Sequence, residues 1–174
     1  MDNRKTDNER LFNSGVLTEH GLGAALPPQE KWENKKGGYV IIECPKRIPC
    51  NPCATSCPTK AVRPFKDIND QPSIDYSKCT GCGLCVARCP GLACFVIDLT
   101  YGNEEQALIK LPYEMLPIPE KGQIVGCLDR QGRKVADGVV VDVKEPWKDR
   151  TRVVSLAIPR ELVDEIRGME VDAG

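Results

Sequence analysis

The sequence predicts an α+β fold in three stretches. An extended arm covers residues 1–38, a core with a pseudo-twofold internal repeat covers 39–98, and a small antiparallel β-unit with a C-terminal helix covers 99–174. The repeat is visible in the thiols: Cys50, Cys53 and Cys57 match Cys82, Cys85 and Cys89 at a constant offset of 32 residues, and each block ends in Cys-Pro. The β-unit is visible in a change of style after Leu99, where runs of Val, Ile and Leu alternate with turn residues. The arm holds Pro27-Pro28, Gly37-Gly38 and scattered charges, with one short apolar stretch from Gly21 to Leu26, too little to build a core.

Taken in order, the arm reads as a segment that orders on a partner, and its single histidine, His20, as a solvated surface residue. Val40-Ile41-Ile42 is a β-branched strand before the first cysteine block, and Ile74 stands in the same place before the second. Phe65 to Pro72 is polar, with Asp67, Asn69 and Asp70, and reads as a connecting loop. Strands are expected over Ala107–Leu111, Gln123–Leu128, Lys134–Val143 and Arg152–Ile158, with Asp129-Arg130-Gln131-Gly132 as a hairpin turn. Pro159 is expected to open an amphipathic helix over Arg160–Arg167, placing Leu162, Val163 and Ile166 on one face, and Gly168 to end it.

Composition limits the functions available. With 24 basic and 25 acidic side chains the net charge is −1, so no electrostatic case for nucleic acid arises. The polar opening, Met1 to Arg10, lacks the apolar region of a secretory signal. No apolar run approaches the roughly 20 residues that span a membrane. The expected compartment is the cytoplasm, where thiols stay reduced and grouped cysteines bind metal instead of forming disulfides. Aromatic residues make up only 5% of the chain, so metal–ligand bonds would supplement a modest core.

Eight of ten cysteines fall into the two blocks, with Cys44 ahead of the first and Cys79 ahead of the second. The second block, Cys79-x2-Cys82-x2-Cys85-x3-Cys89-Pro90, has the spacing in which three thiolates clasp one iron–sulfur cubane and the fourth reaches its neighbour. Gly81 and Gly83 would let backbone amides approach the cluster sulfurs, and Pro58 and Pro90 are expected in the first turn of a helix. Structural zinc also uses Cys-x2-Cys, but it separates two pairs and does not crowd four thiols into 11 residues before a proline. Cys94 and Cys127 read as small buried hydrophobes.

From Cys44 to about Val96 the chain resembles the bacterial two-cluster ferredoxins. The resemblance implies a ferredoxin-like two-cluster core and two 4Fe-4S clusters, one on Cys57, Cys79, Cys82 and Cys85, the other on Cys50, Cys53 and Cys89. Arg47 stands where the ordinary spacing has the remaining cysteine of the first cluster, and Cys44 is the nearest substitute. If Cys44 does not bind, that cluster becomes a three-iron species. Pro45, Pro49 and Pro52 donate no hydrogen bonds, so the first cluster is expected to be the harder to reduce.

No Gly-x-Gly-x-x-Gly, P-loop or histidine-centred constellation occurs, so the chain itself is expected to carry electrons and not to catalyse. The passage from Ile41 through Cys53 is also similar to the ferredoxin-like subunits of anaerobic bacteria that accompany FAD-dependent dehydrogenases of amino acids or amines. That likeness implies FAD in a partner subunit of a hetero-oligomer and none in this chain. A freely diffusing ferredoxin and a zinc-stabilised interaction module are the alternatives.

Overall fold

The β-branched and aliphatic runs form one antiparallel sheet in a computed structural model that describes residues 11–17, 37–148 and 151–172. Residues 11–14 make a single helical turn. The remainder of the arm up to residue 36, including His20 and the apolar stretch Gly21 to Leu26, lies outside the described residues.

The strands are β1 (Tyr39–Ile42), β2 (Cys94–Asp98), β3 (Gln106–Tyr113), β4 (Ile124–Leu128), β5 (Lys134–Lys144), β6 (Arg152–Pro159) and β7 (Gly168–Glu170). Two short helices, α1 (Pro52–Thr55) and α2 (Leu84–Arg88), belong to the cysteine blocks. The spatial order is β1-β2-β3-β6-β5-β4-β7. β2 and β3 are hydrogen-bonded neighbours, Val96 opposite Lys110 and Ile97 opposite Ile109, so the sheet runs unbroken through the change of style at residue 99.

Strand parity explains how one sheet serves two cores. Side chains alternate between faces, and Tyr39, Ile41, Phe95, Ile97, Ile109, Leu111, Val154 and Leu156 face a core shared with Val125, Cys127 and Met169 of the far strands. Val40, Ile42, Cys94, Val96 and Val153 face the other way, into a second core with Cys53, Cys85 and Val86. β1 and β2 are therefore buried on both faces, which is why they read as unbroken apolar runs.

Pairing crosses between the two halves of the repeat. β1, before the first block, pairs with β2, after the second. Ile74, before the second block, bridges to Val62, after the first.

Two expectations about helices give way. In place of a helix over Arg160–Arg167 there is one 3-10 turn, Arg160–Leu162. The chain must leave this turn quickly to lay β7 beside β4, and Arg167 instead turns its guanidinium back onto the carbonyls of Val163 (2.8 Å) and Ile166 (2.6 Å). Val163 and Ile166 are buried as the periodicity required. Pro58 and Pro90 open no helix either. Each holds the second position of a tight turn, closed by Lys60 N–H to the Cys57 carbonyl (3.2 Å) and Leu92 N–H to that of Cys89 (3.1 Å). Lys60 and Leu92 take positive φ, 55° and 51°, so the backbone reverses where a helix would have begun.

The sheet's outer strands are tied by charge. Glu43, just past β1, accepts from Arg130 Nε (3.0 Å) and Nη2 (2.7 Å) and from Arg167 Nε (2.6 Å). Burial alone would raise the Glu43 pKa, but the hydrogen bonds of Arg130 and the charge of Arg167 outweigh it and hold the carboxyl below its ordinary value. No helix among the described residues is long and apolar enough to cross a membrane.

Candidate metal centre

The eight block cysteines gather around two hollows on the face of β1 and β2 opposite the main core. One hollow, of about 310 Å³, is lined by Cys57, Cys79, Cys82 and Cys85 beneath Val40, Val62 and Val96. The other, of about 360 Å³, is lined by Cys44, Cys50, Cys53 and Cys89, with Ile42, Pro52 and Cys94. The last thiol of each block thus stands with the opposite block: Cys57 with the second, Cys89 with the first.

Short helices produce this exchange. Asn51 caps α1 with Pro52 in its first turn, where a missing N–H is harmless, and Cys53 on α1 is buried. Gly83, at φ 87°, caps α2, which buries Cys85 and hands the chain on to Cys89 at its C-cap. Gly81 is required for closeness: a Cβ there would stand 2.6 Å from the Gly38 carbonyl, and its φ is +65°.

The longer opening loop of the first block is braced by residues 65–72, the stretch expected to be a connector. Gln71 Nε2 donates to the carbonyl of Pro45 (2.6 Å), Cys50 N–H donates to that of Ile68 (3.2 Å), and Arg47 meets Asp70 at 3.4 Å. Arg47, at the position where a cysteine was missing, points to the connector, and Cys44 lines the hollow instead.

Hydrogen bonds reach the sulfurs. Val40 N–H donates to Cys79 Sγ and Ala93 N–H to Cys89 Sγ, both at 3.3 Å. Burial pushes the Cys53 thiol up to about 12, and burial with the neighbouring thiolates raises Cys44. Cys89 is drawn down to about 6, chiefly by its hydrogen bond with Cys94 and then by the amides of Ala93 and Gly91. Cys85 is lowered by the same partner. Cys94 is raised well above the ordinary thiol value, chiefly by its interactions with the Cys85 and Cys89 thiols and then by burial.

Cys94 is fully buried, as expected, and it also lines the first hollow beside Cys53 and Cys89. Its equivalence to Val62 in the repeat could have placed it against the opposite block. Cys127 is buried in the main core and takes no part.

This donor set fits an iron–sulfur cluster better than a bare ion. Among the described residues no three histidine, cysteine or carboxylate side chains converge on a point a single ion would occupy. Zinc needs sulfurs about 2.3 Å from one centre. Four thiols spread around an apolar hollow, with amides directed at sulfur, suit a cubane several atoms wide.

The comparisons agree. Residues 46–93 match the family model described as a 4Fe-4S dicluster domain. The chain is 34% identical over 73 residues to the ferredoxin-type protein NapF of Haemophilus influenzae, covering 41% of this chain and 42% of that protein. It is 32% identical over 74 residues to the pyruvate synthase subunit PorD of Methanothermobacter marburgensis, covering 40% of this chain and 84% of that subunit. Against PorD of Methanocaldococcus jannaschii it is 33% identical over 67 residues, covering 36% and 76%. The chain thus spans less than half of NapF but most of each PorD. No solved structure matches it significantly.

Proposed function

The chain belongs to the 4Fe-4S dicluster ferredoxin family, and from that membership we propose that it relays single electrons as a fixed subunit of a larger oxidoreductase. Iron–sulfur electron transfer follows from the family; the fixed assembly is the further step. The single observation that carries the relay is the grouping of thiols, four around each of two adjoining hollows, with the last cysteine of each block exchanged. Cys57, Cys79, Cys82 and Cys85 hold one cluster in this reading, and Cys44, Cys50, Cys53 and Cys89 the other. Bound there, each cluster supplies a one-electron couple.

The chain's own residues prepare that couple. Val40, Val62 and Val96 exclude water from the second site, and Ile42 does so for the first. A drier site sharpens the effect of every nearby charge and hydrogen bond.

Subunit status is supported by what surrounds the core. The sheet from β3 to β7 and the arm exceed the matched segment in length, and the PorD relatives are subunits of a pyruvate synthase. Two kinds of assembly fit: a flavin-dependent dehydrogenase, supported by the likeness of Ile41 through Cys53, and an enzyme of the pyruvate synthase kind, supported by PorD. Cytoplasmic residence suits either, since the thiols must stay reduced.

Anaerobic co-expression with the neighbouring genes of its operon tests the reading. Copurification of this chain, with about eight irons, alongside a larger catalytic chain is expected. Flavin in that chain selects the first assembly, and its absence selects the second. Elution of this chain alone would return it to a diffusing ferredoxin, and a colourless zinc protein would end the proposal.

A further inference from the structure

We propose that Lys110, a β3 residue outside the matched ferredoxin segment, is a tuning residue of the second cluster, its ammonium fixing a positive charge beside Cys82 and raising that cluster's reduction potential. The inference rests on the relay described above and assigns part of the added sheet a task in it.

Register places Lys110. It stands opposite Val96 on β2 and opposite Ser155 on β6. Parity puts it on the same face as Val96 and Val153, which pack with the cysteine blocks, while Ile109 and Leu111 face the main core. On this face Lys110 lies among Leu108, Val153 and Ser155, with Asp142 and Lys144 on the strand beyond.

The side chain is committed to the loop of the second block. Lys110 Nζ donates to the Gly81 carbonyl at 2.6 Å, and its Cδ would lie 3.6 Å from a Cβ at Gly83. It therefore bonds to the residue before Cys82 and passes beside the residue after it, within a groove of about 710 Å³ that Cys82 itself lines. Cys82 is the exposed thiol among the ten cysteines.

The charges around it leave Lys110 as the effective cation. Lys144 shares the groove but is paired with Asp142 at 3.2 Å. Among the described residues no carboxylate makes an ion pair with Lys110. Asp98 and Asp142 act on it only from farther away, as Lys144 does with opposite sign. Reduction adds one negative charge to a cluster, so a fixed neighbouring cation favours the reduced form and lifts the potential.

The test is an EPR-monitored redox titration of the anaerobically loaded full chain as wild type, Lys110→Gln, Lys110→Met and Lys110→Arg, with the second cluster's signal identified by its alteration in Cys82→Ala. Lys110→Gln keeps a donor for the Gly81 carbonyl and removes only the charge. At fixed poise it is expected to shift the oxidised-to-reduced ratio of the second cluster about tenfold toward oxidised, equivalent to about 59 mV for a one-electron couple. Lys110→Met should lower it at least as far, Lys110→Arg should restore it, and the first cluster should not move.

An unchanged second potential in Lys110→Gln, or equal shifts in both clusters, overturns the tuning role. Loss of the cluster in Lys110→Met with no shift in Lys110→Gln does the same, since the lysine would then only brace the loop. Wild-type protein without redox-active iron would instead strike the relay itself, so the two failures are distinguishable.

Discussion

Arg167 donates from Nε to Glu43 Oε1 at 2.6 Å across 124 residues of sequence, joining the residue before β7 to the residue after β1. Both side chains are almost wholly buried, at 3% and 6% exposure, and Arg167 also lies over the Phe95 ring at 5.3 Å. Removing one member of a buried pair leaves the other charge uncompensated, which costs about 3–5 kcal/mol. Glu43→Ala, which strands both Arg130 and Arg167, should lower the anaerobic urea midpoint accordingly. Because Glu43 precedes Cys44, visible absorbance from the first cluster should bleach earlier in the same titration. A midpoint within error of wild type would show that the contact contributes little.

Gly81→Ala should cost the second cluster specifically. The added methyl meets the Gly38 backbone at 2.6 Å, and φ of +65° is unfavourable for alanine. Iron content is expected to fall from about eight to about four per chain. Gly132→Ala is the control, since it shares a positive φ but has open space around it and stands in the β4–β5 hairpin.

Cys94→Ala removes the buried thiol that draws down both Cys85 and Cys89, one thiol from each hollow. Both potentials should fall together with the iron content unchanged, since hydrogen bonds to sulfur favour the reduced cluster. Cys94→Ser, which retains a donor, should fall less. A shift in one cluster alone would show that Cys94 acts on that cluster only. Cys44→Ala should change only the first cluster, leaving three irons there or none.

Pro52 lines the first hollow and offers no amide. Pro52→Ala restores an N–H at the start of α1 without breaking the helix. The first cluster, expected to be the harder to reduce, should rise in potential. An unchanged or lowered value for that cluster in an EPR-monitored titration would remove proline as the cause.

Iron removal should divide the molecule. The second core is built on Cys53, Cys85 and Cys94 with Val86 and Val96, whereas the main core draws only Cys127 and part of Cys79. After chelation under reducing conditions, hydrogen exchange should show α1, α2 and their loops losing protection while β3, β5 and β6 keep it. Uniform loss would mean that the sheet depends on metal.

Much of the site was legible because thiol spacing acts locally: eight cysteines in two blocks fall around two hollows with the exchange their spacing implied. The strands from Gln106 to Pro159 were legible from β-branched runs, and Asp129 to Gly132 from turn chemistry. What the sequence concealed depends on pairing between distant segments. Lys110 looks like any surface lysine until its register with Val96 and Ser155 turns it toward Gly81. Arg167 looks like the polar side of a helix until Glu43 claims it. Leu162, Val163 and Ile166 do share a buried side, but a single turn suffices to place them, and periodicity cannot measure where a helix stops.

The double-sided burial of β1 carries a liability. Val40 and Ile42 pack in the core that the cysteine blocks cover, and among the described residues β1 has a strand partner on one flank alone. Oxygen that dissolves the inorganic centres would uncover a greasy strip along an unpaired margin, the surface on which chains stack into insoluble matter. Turbidity on exposure to air should therefore track bleaching, and lysine at position 40 should keep the bleached protein in solution.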